Sequence, residues 1–217
     1  MKFIEIDMKQ WARKEHYKHY RNNVCCSYSL TVDIDVTALL TTLKAKGLKA
    51  YPAQIYMLST VTNQFSEFRM STNEHQQLGY WDIIDPMYTV LKKNTETFSA
   101  VWTKYNSCFH GFYEACLDDM TQYANGALFP QKNVSLNVFN ISSVPWLDFT
   151  AFNLNVSSAE TYLLPIFTIG RYRKGEHGKT FMPLAIQCHH AVCDGFHVGK
   201  FVDALRYMAA NSEEWLW

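Results

Sequence analysis

The stretch Gln187-Cys188-His189-His190-Ala191-Val192-Cys193-Asp194-Gly195-Phe196-His197 governs the interpretation of the whole chain. An apolar run, Met182 to Ile186, precedes it, and an amphipathic run, Val198 to Met208, follows it. This pattern predicts a strand that delivers two histidines to a tight turn, with a helix leaving from that turn. Neighbouring strand residues point to opposite faces. His189 and His190 therefore take different jobs, one packing against the sheet and the other facing an open cleft. Gly195 is expected to allow a sharp turn or a positive φ. Asp194 is expected to cap the departing helix or to pair with a cation.

A histidine at a rigid strand end can take a proton from a hydroxyl or a thiol. A satisfied structural histidine is the competing reading. Metal binding through His189, His190, Asp194 and His197 fits poorly. The two neighbouring histidines diverge, and no Cys-x-x-Cys or His-Glu-x-x-His accompanies them. Cys193 as a nucleophile would need a partner that lowers its pKa, and the sequence offers none unambiguously.

The 217 residues suit one domain with a large core. The 20 basic and 20 acidic residues cancel, and there is no basic block, so neither nucleic acid nor a membrane surface is an expected partner. An aromatic share of 15% allows an aromatic-lined pocket, although core packing explains it equally. The start, Met1 to Asp7, lacks the apolar core of a signal peptide. The cysteines, Cys25, Cys26, Cys108, Cys116, Cys188 and Cys193, form no Cys-x-x-Cys and suit reduced thiols in a cytoplasmic protein.

In order, residues 3 to 6 alternate as a strand. Asp7 with Gln10 resembles a capping box for a helix running to about Tyr20. A strand is expected over Val24–Val32, with Cys26, Tyr28 and Leu30 on one side. Asp35 caps a helix over Val36–Lys46 that Gly47 stops, and Pro52 suits the first turn of a helix reaching about Gln64. Strands are expected over Leu78–Trp81, Tyr88–Lys92 and Phe98–Trp102, and a helix over Ser107–Tyr123. Three more strands follow at Ser135–Asn140, Phe149–Asn155 and Ile166–Tyr172. Arg173–Lys179 suits a solvated hairpin turn. There is no internal repeat or linker. The irregular alternation predicts an α/β fold with a mixed sheet covered by helices.

The run His189–His197 resembles the active-site signature of the chloramphenicol acetyltransferases, coenzyme A-dependent acyltransferases with a His-x-x-x-Asp-Gly motif. Further similar stretches are Trp11–His16, Tyr51-Pro52, Glu67–Met70, Thr95–Ser99, Leu128–Pro130, Ser142–Trp146, Phe152–Val156 and Pro165–Thr168, in the family's order and spacing. Cys188, where the family more often has valine, and the length of the Arg173–Lys179 turn depart from it.

The resemblance implies a two-layer sandwich and acetyl transfer from acetyl-CoA to the primary hydroxyl of chloramphenicol. The transfer would be a direct attack in a ternary complex, giving antibiotic resistance without a metal or redox cofactor. His190 matches the general base, and His189 is assigned to structure. Ser142 matches the serine that hydrogen-bonds the oxyanion, although a turn hydroxyl before Pro145 is its plain alternative. Asp194 and Arg13 match a salt bridge that holds the site together. Thr168 matches a residue that positions a water.

Tyr20, Cys26, Tyr28, Phe98, Phe129, Phe152 and Leu154 match the acceptor pocket. Trp146 and Tyr172 match contacts to coenzyme A, and Lys49 a contact to its phosphate. Any of these aromatics could be plain core. The resemblance also implies a cytoplasmic homotrimer with active sites at subunit interfaces. Two other readings are a dihydrolipoamide acyltransferase catalytic domain and a non-catalytic binding protein on the same fold. The chain lacks a lipoyl-type segment or Ala/Pro linker, which argues against the first. His190 together with Ser142 argues against the second.

Overall fold

A computed structural model describes residues 1–132, 134, 136–154 and 162–216. The strands are β1 (Phe3–Glu5), β2 (Ser27–Asp35), β3 (Met70–Thr72), β4 (Leu78–Trp81), β5 (Asp85–Lys92), β6 (Thr97–Trp102), β7 (Val138–Val144), β8 (Ile166–Gly170), β9 (Arg173–Lys174) and β10 (Thr180–His189). The α-helices are α1 (Lys14–Lys18), α2 (Thr37–Lys46), α3 (Ala50–Thr62), α4 (Phe109–Tyr123) and α5 (Gly195–Ala210).

The main sheet has the order β2-β10-β8-β7-β5-β6, with β9 beside β10, and β1-β4-β3 form a smaller antiparallel sheet. Strand β7 runs parallel to β5 and β8, and the other main-sheet pairs are antiparallel, so the sheet is mixed as expected. Alternation along the strands sends Ile34, Leu184, Ile186, Phe167, Ile169, Phe139, Ile141, Tyr88 and Val101 into one core with Leu39, Ile55, Phe112, Phe201 and Leu205 of the helices. Phe167 stacks on Phe201 at 5.2 Å and meets Phe139 edge-on at 5.8 Å, which ties β8 to α5 and β7. Among the described residues, no helix is long and apolar enough to cross a membrane.

Local chemistry explains where elements begin and end. Asp35 Oδ1 accepts from the Thr37 amide and hydroxyl at 3.1 and 2.6 Å, which closes the entry to α2. Gly47 ends that helix at φ 67°, a left-handed position that favours glycine. Strand β10 is apolar on both faces because β2 and β8 flank it and α5 covers it.

Several boundaries depart from the sequence reading. No helix starts at Asp7. Its Oδ1 takes the Lys9 amide at 2.8 Å and its carbonyl takes the Gln10 and Trp11 amides, so the segment closes as turns. α1 begins only at Lys14 and passes into a wider turn, His19–Asn23, which displaces β2 to Ser27–Asp35. Strand β7 is Val138–Val144, not Ser135–Asn140. Asn137 is spent on Ile83 and Asp85, and pairing with β8 carries the ladder on to Val144. Ser135 lies outside the described residues. Residues 149–154 form no strand, because the Phe149 ring packs on Phe152 and against Gly170 (residue 155 lies outside the description). β8 stops at Gly170, where a Cβ would sit 3.0 Å from the Phe149 ring and 3.2 Å from the Leu147 carbonyl, a tight fit. β3 was not anticipated, since three residues are too few to show a period. Gly195 takes no positive φ, so that expected reason for a glycine does not operate, and a Cβ there would meet nothing within 4 Å.

Candidate active site

The signature residues occupy the end of β10 and the turn into α5. His189 is the last strand residue, paired with Ser27, and is 2% exposed. The His190 amide still donates to the Cys26 carbonyl at 2.9 Å, which holds the backbone extended. The next residues turn back, as the Val192 and Cys193 amides both donate to the His189 carbonyl at 3.1 Å. His190 is therefore turned outward, its side chain 31% exposed. Tyr20 stacks on its imidazole at 4.2 Å and 17°, and Tyr28 meets it edge-on at 5.4 Å. The Tyr28 hydroxyl donates to the Cys193 carbonyl at 3.2 Å, and burial raises its pKa.

Arg13 connects the N-terminal segment to this turn. Its guanidinium is bidentate on Asp194, through Nη1 to Oδ2 and through Nη2 to Oδ1 at 2.9 Å. Nη2 also donates to the His190 carbonyl at 3.1 Å. The Arg13 hydrogen bond holds the Asp194 carboxyl below the usual carboxylate range, against the opposing effect of partial burial. Asp194 Oδ1 lies 3.0 Å from His190 Nδ1 but out of line for a hydrogen bond, so the contact is electrostatic. A double-mutant cycle on Arg13 and Asp194 is expected to give an interaction of about 0.5–3 kcal/mol in unfolding free energy. Additive effects would separate the two.

His189 differs in kind. Its Nδ1 accepts the Ala191 amide at 3.1 Å, and its Nε2 is buried without a hydrogen bond among the described residues. Burial first, then the charges of Arg21 and His190, lower its pKa from 6.5 to about 4. In the unfolded chain the ordinary value returns, so the unfolded state binds this proton first as pH falls. Stability is then full above about pH 6.5 and declines by something on the order of 3 kcal/mol down to about pH 4. His189→Asn, which keeps an acceptor for Ala191, is expected to flatten that part of the pH–stability curve in urea titrations. An unchanged slope would place the proton elsewhere.

A second group of residues gathers at the carboxyl ends of the parallel strands β7 and β8, where open α/β sheets commonly place ligands. There a cleft of about 670 Å³ is lined by Tyr51, Gln54, Phe98, Ser142, Trp146 and Tyr172, among others. Ser142 points to the face opposite the core, and Thr168, 2% exposed, lies directly across the ladder from it. Lys49 precedes α3, whose first residues Ala50 and Tyr51 line the cleft, and its side chain is exposed. Phe129 and Leu154 are exposed in loops, Phe152 is half-buried, and the Leu154 amide donates to Gln187 Oε1 at 3.1 Å.

Gln54 was not singled out in the sequence. It is 3% exposed, and its amide bonds the Tyr172 hydroxyl at 2.5 Å, fixing that ring at the cleft wall. Its position inside an apolar helix face was the available signal. Among the described residues, no group of three or more His, Cys, Asp or Glu side chains is placed to hold a metal ion.

The strand ladder measures the separation of the two groups. Ser142 lies opposite Thr168, and Thr168 lies opposite Ala185, five residues before His190. Two interstrand steps and five extended residues put His190 and Ser142 about 20 Å apart within one chain.

Comparison with known proteins supplies the context. The family model described as chloramphenicol acetyltransferase matches residues 1–206. A chloramphenicol acetyltransferase of Bacillus pumilus is 49% identical over 215 residues, covering 99% of this chain and 96% of the relative. One of Staphylococcus aureus is 39% identical over 218 residues, covering 100% of both. A solved chloramphenicol acetyltransferase superposes with a TM-score of 0.86 at 22% identity, over 96% of this chain and 100% of that one. A dihydrolipoamide acetyltransferase of Azotobacter vinelandii gives 0.65 at 18%, over 88% and 84%. These two structures establish likeness of fold alone.

Proposed function

Since the chain belongs to the chloramphenicol acetyltransferase family, we propose that it transfers an acetyl group from acetyl-CoA to the primary hydroxyl of chloramphenicol, with His190 as the general base. The observation that carries this reading is the setting of His190, an accessible imidazole between two tyrosines with Nδ1 against an Arg13-bound carboxylate. Nδ1 is buried against that carboxylate, so Nε2 is assigned as the nitrogen that receives the proton. A hydroxyl is a poor nucleophile near neutral pH, and a base placed beside it typically contributes about 10²–10⁴-fold.

The cleft suits the acyl donor. Its volume of about 670 Å³ suits a cofactor-sized ligand, Trp146 and Tyr172 offer aromatic surfaces to a nucleotide base, and Lys49, exposed just before the cleft-lining Ala50, offers a cation to phosphate. Bound acetyl-CoA supplies an acyl group already activated as a thioester. Ser142 is assigned to donate to the oxygen that gains charge as the hydroxyl adds, and Thr168 to order a water beside it. Tyr20, Cys26 and Tyr28 line the acceptor site on the histidine side, and Phe98, Phe129, Phe152 and Leu154 line it on the cleft side.

Base and oxyanion donor must meet at one carbonyl, and about 20 Å separates them within a chain. We therefore assign the working site to two copies, with His190 from one and Ser142 from its neighbour, in a homotrimer. Exposed apolar side chains on the loops carrying Phe129, Leu136, Trp146, Leu147 and Leu154 support such a contact. Residues 1–217 act as one domain in this reading. A cytoplasmic location follows from the supply of acetyl-CoA and agrees with six unpaired cysteines.

The test is thiol release from acetyl-CoA with chloramphenicol, run beside dihydrolipoamide as acceptor. Release that requires chloramphenicol supports the reading. Release driven by dihydrolipoamide alone would assign the chain to the other branch of the fold.

A further inference from the structure

We infer that His197, with Glu67 behind it, is a positioning residue for the reaction, setting the Asp194 carboxylate through the Asp194 backbone. The inference rests on the reading of His190 as the base. His197 is the third residue of α5, and its Nδ1 accepts the Asp194 amide at 2.9 Å. At this position glutamate or glutamine commonly reaches back to the residue that precedes a helix. Here a ring does so, in the same turn that presents His190. Because Nδ1 accepts, the ring proton is on Nε2, which lies 3.7 Å from Glu67 Oε1. That contact is electrostatic, being too long for a hydrogen bond. Glu67 is held in turn, since Ser66 donates to its Oε2 at 3.3 Å and the adjacent Phe68 stacks on Phe201 of α5 at 4.6 Å.

The consequence follows from what Asp194 holds. Its carboxylate binds Arg13, Arg13 binds the His190 carbonyl, and Oδ1 rests against His190 Nδ1. Rotation of the Asp194 peptide moves this whole set together. With no acceptor at residue 197 this peptide is held on one side only, by the Tyr28 hydroxyl on the Cys193 carbonyl, so it tilts and the imidazole is no longer held in line with the acceptor hydroxyl. Misplacement of a reacting group by about 1 Å can cost on the order of 100-fold. A protonated ring would set an Nδ1–H against the Asp194 N–H, so the arrangement works only with His197 neutral.

The experiment compares His197→Leu, which fills the space without an acceptor, with His197→Gln, which restores one. His197→Leu is expected to lose about tenfold to a hundredfold in kcat, with KM for both substrates within about twofold. His197→Gln should recover to within about threefold of wild type. In an Asp194→Asn background the His197→Leu loss should shrink to less than about twofold, since the carboxylate through which His197 acts is gone. A folded His197→Leu enzyme with wild-type kcat, or an undiminished loss in the Asp194→Asn background, overturns the inference. Should His197→Leu not fold, nitrogen-15 histidine spectra of the wild type decide. An unprotonated Nδ1 on His197 supports the inference, and an Nδ1–H refutes it. An active His190→Ala enzyme would instead fail the base assignment, so the two failures are distinguishable.

Discussion

His190→Ala is expected to lower kcat at least a thousandfold while the protein folds and binds chloramphenicol with little change. The loss is that of a positioned base, typically about 10²–10⁴-fold, and no other imidazole replaces it. His189 is the adjacent candidate, but it is buried, bonded to the Ala191 amide and held neutral on the far side of the strand end. Folding should survive because His190 is partly exposed and makes its fixed contacts through its backbone, to Cys26 and Arg13. What the alanine removes is one ring stacked on Tyr20. The decisive measurement is kcat with acceptor affinity, beside His189→Asn. Retained turnover in the His190 variant, with the loss appearing in the His189 variant, would reverse the assignment of the base.

Ser142→Ala is expected to lose about 10²–10³ in kcat with KM nearly unchanged, because the role proposed for its hydroxyl is to meet charge that forms only in the transition state. A rise in KM alone would make Ser142 a ground-state contact. The larger consequence appears on mixing. About 20 Å separates Ser142 from His190 within a chain, so on the proposed shared site the two defects belong to different halves. In a ring of three copies every subunit lends its histidine to one neighbour and its serine to the other. If His190→Ala and Ser142→Ala chains are unfolded together in equal amounts and refolded, random assembly restores about a quarter of the sites. Activity should rise from below about 1% of wild type to roughly that share. The same proteins mixed without unfolding should stay inactive. Verified mixed assemblies without recovery would place base and oxyanion donor within one chain and refute the shared site.

Much of this protein follows from short-range pattern. An apolar run before two histidines sufficed for β10, since no polar face was left to expose. The Asp35–Gly47 interval set α2, because an aspartate side chain and a left-handed glycine act within a few residues. The divergence of His189 and His190 follows from strand geometry alone. Other features depend on where distant segments meet. Arg13 and Asp194 are 181 positions apart, and only resemblance to a family singled out the pair.

Asp7 had the pattern of a helix cap, yet its amide partners closed turns, because local hydrogen bonds are nearly equal in energy across several geometries. Gln54 stood out only as a polar residue in an apolar helix face, and its partner could not be read from the chain, since its bond to Tyr172 spans 118 positions. The spacing of Asp194 and His197 could be counted in the chain, but Glu67 behind the ring could not. The sequence by itself determined that one strand ends in two diverging histidines and passes into a helix, because hydrophobic pattern and strand alternation are properties of neighbouring positions. Tertiary structure alone decided that His190 and Ser142 lie on different parts of one chain. That separation is set by the order in which β10, β8 and β7 pair, and strand order is settled by the packing of the whole sheet against its helices.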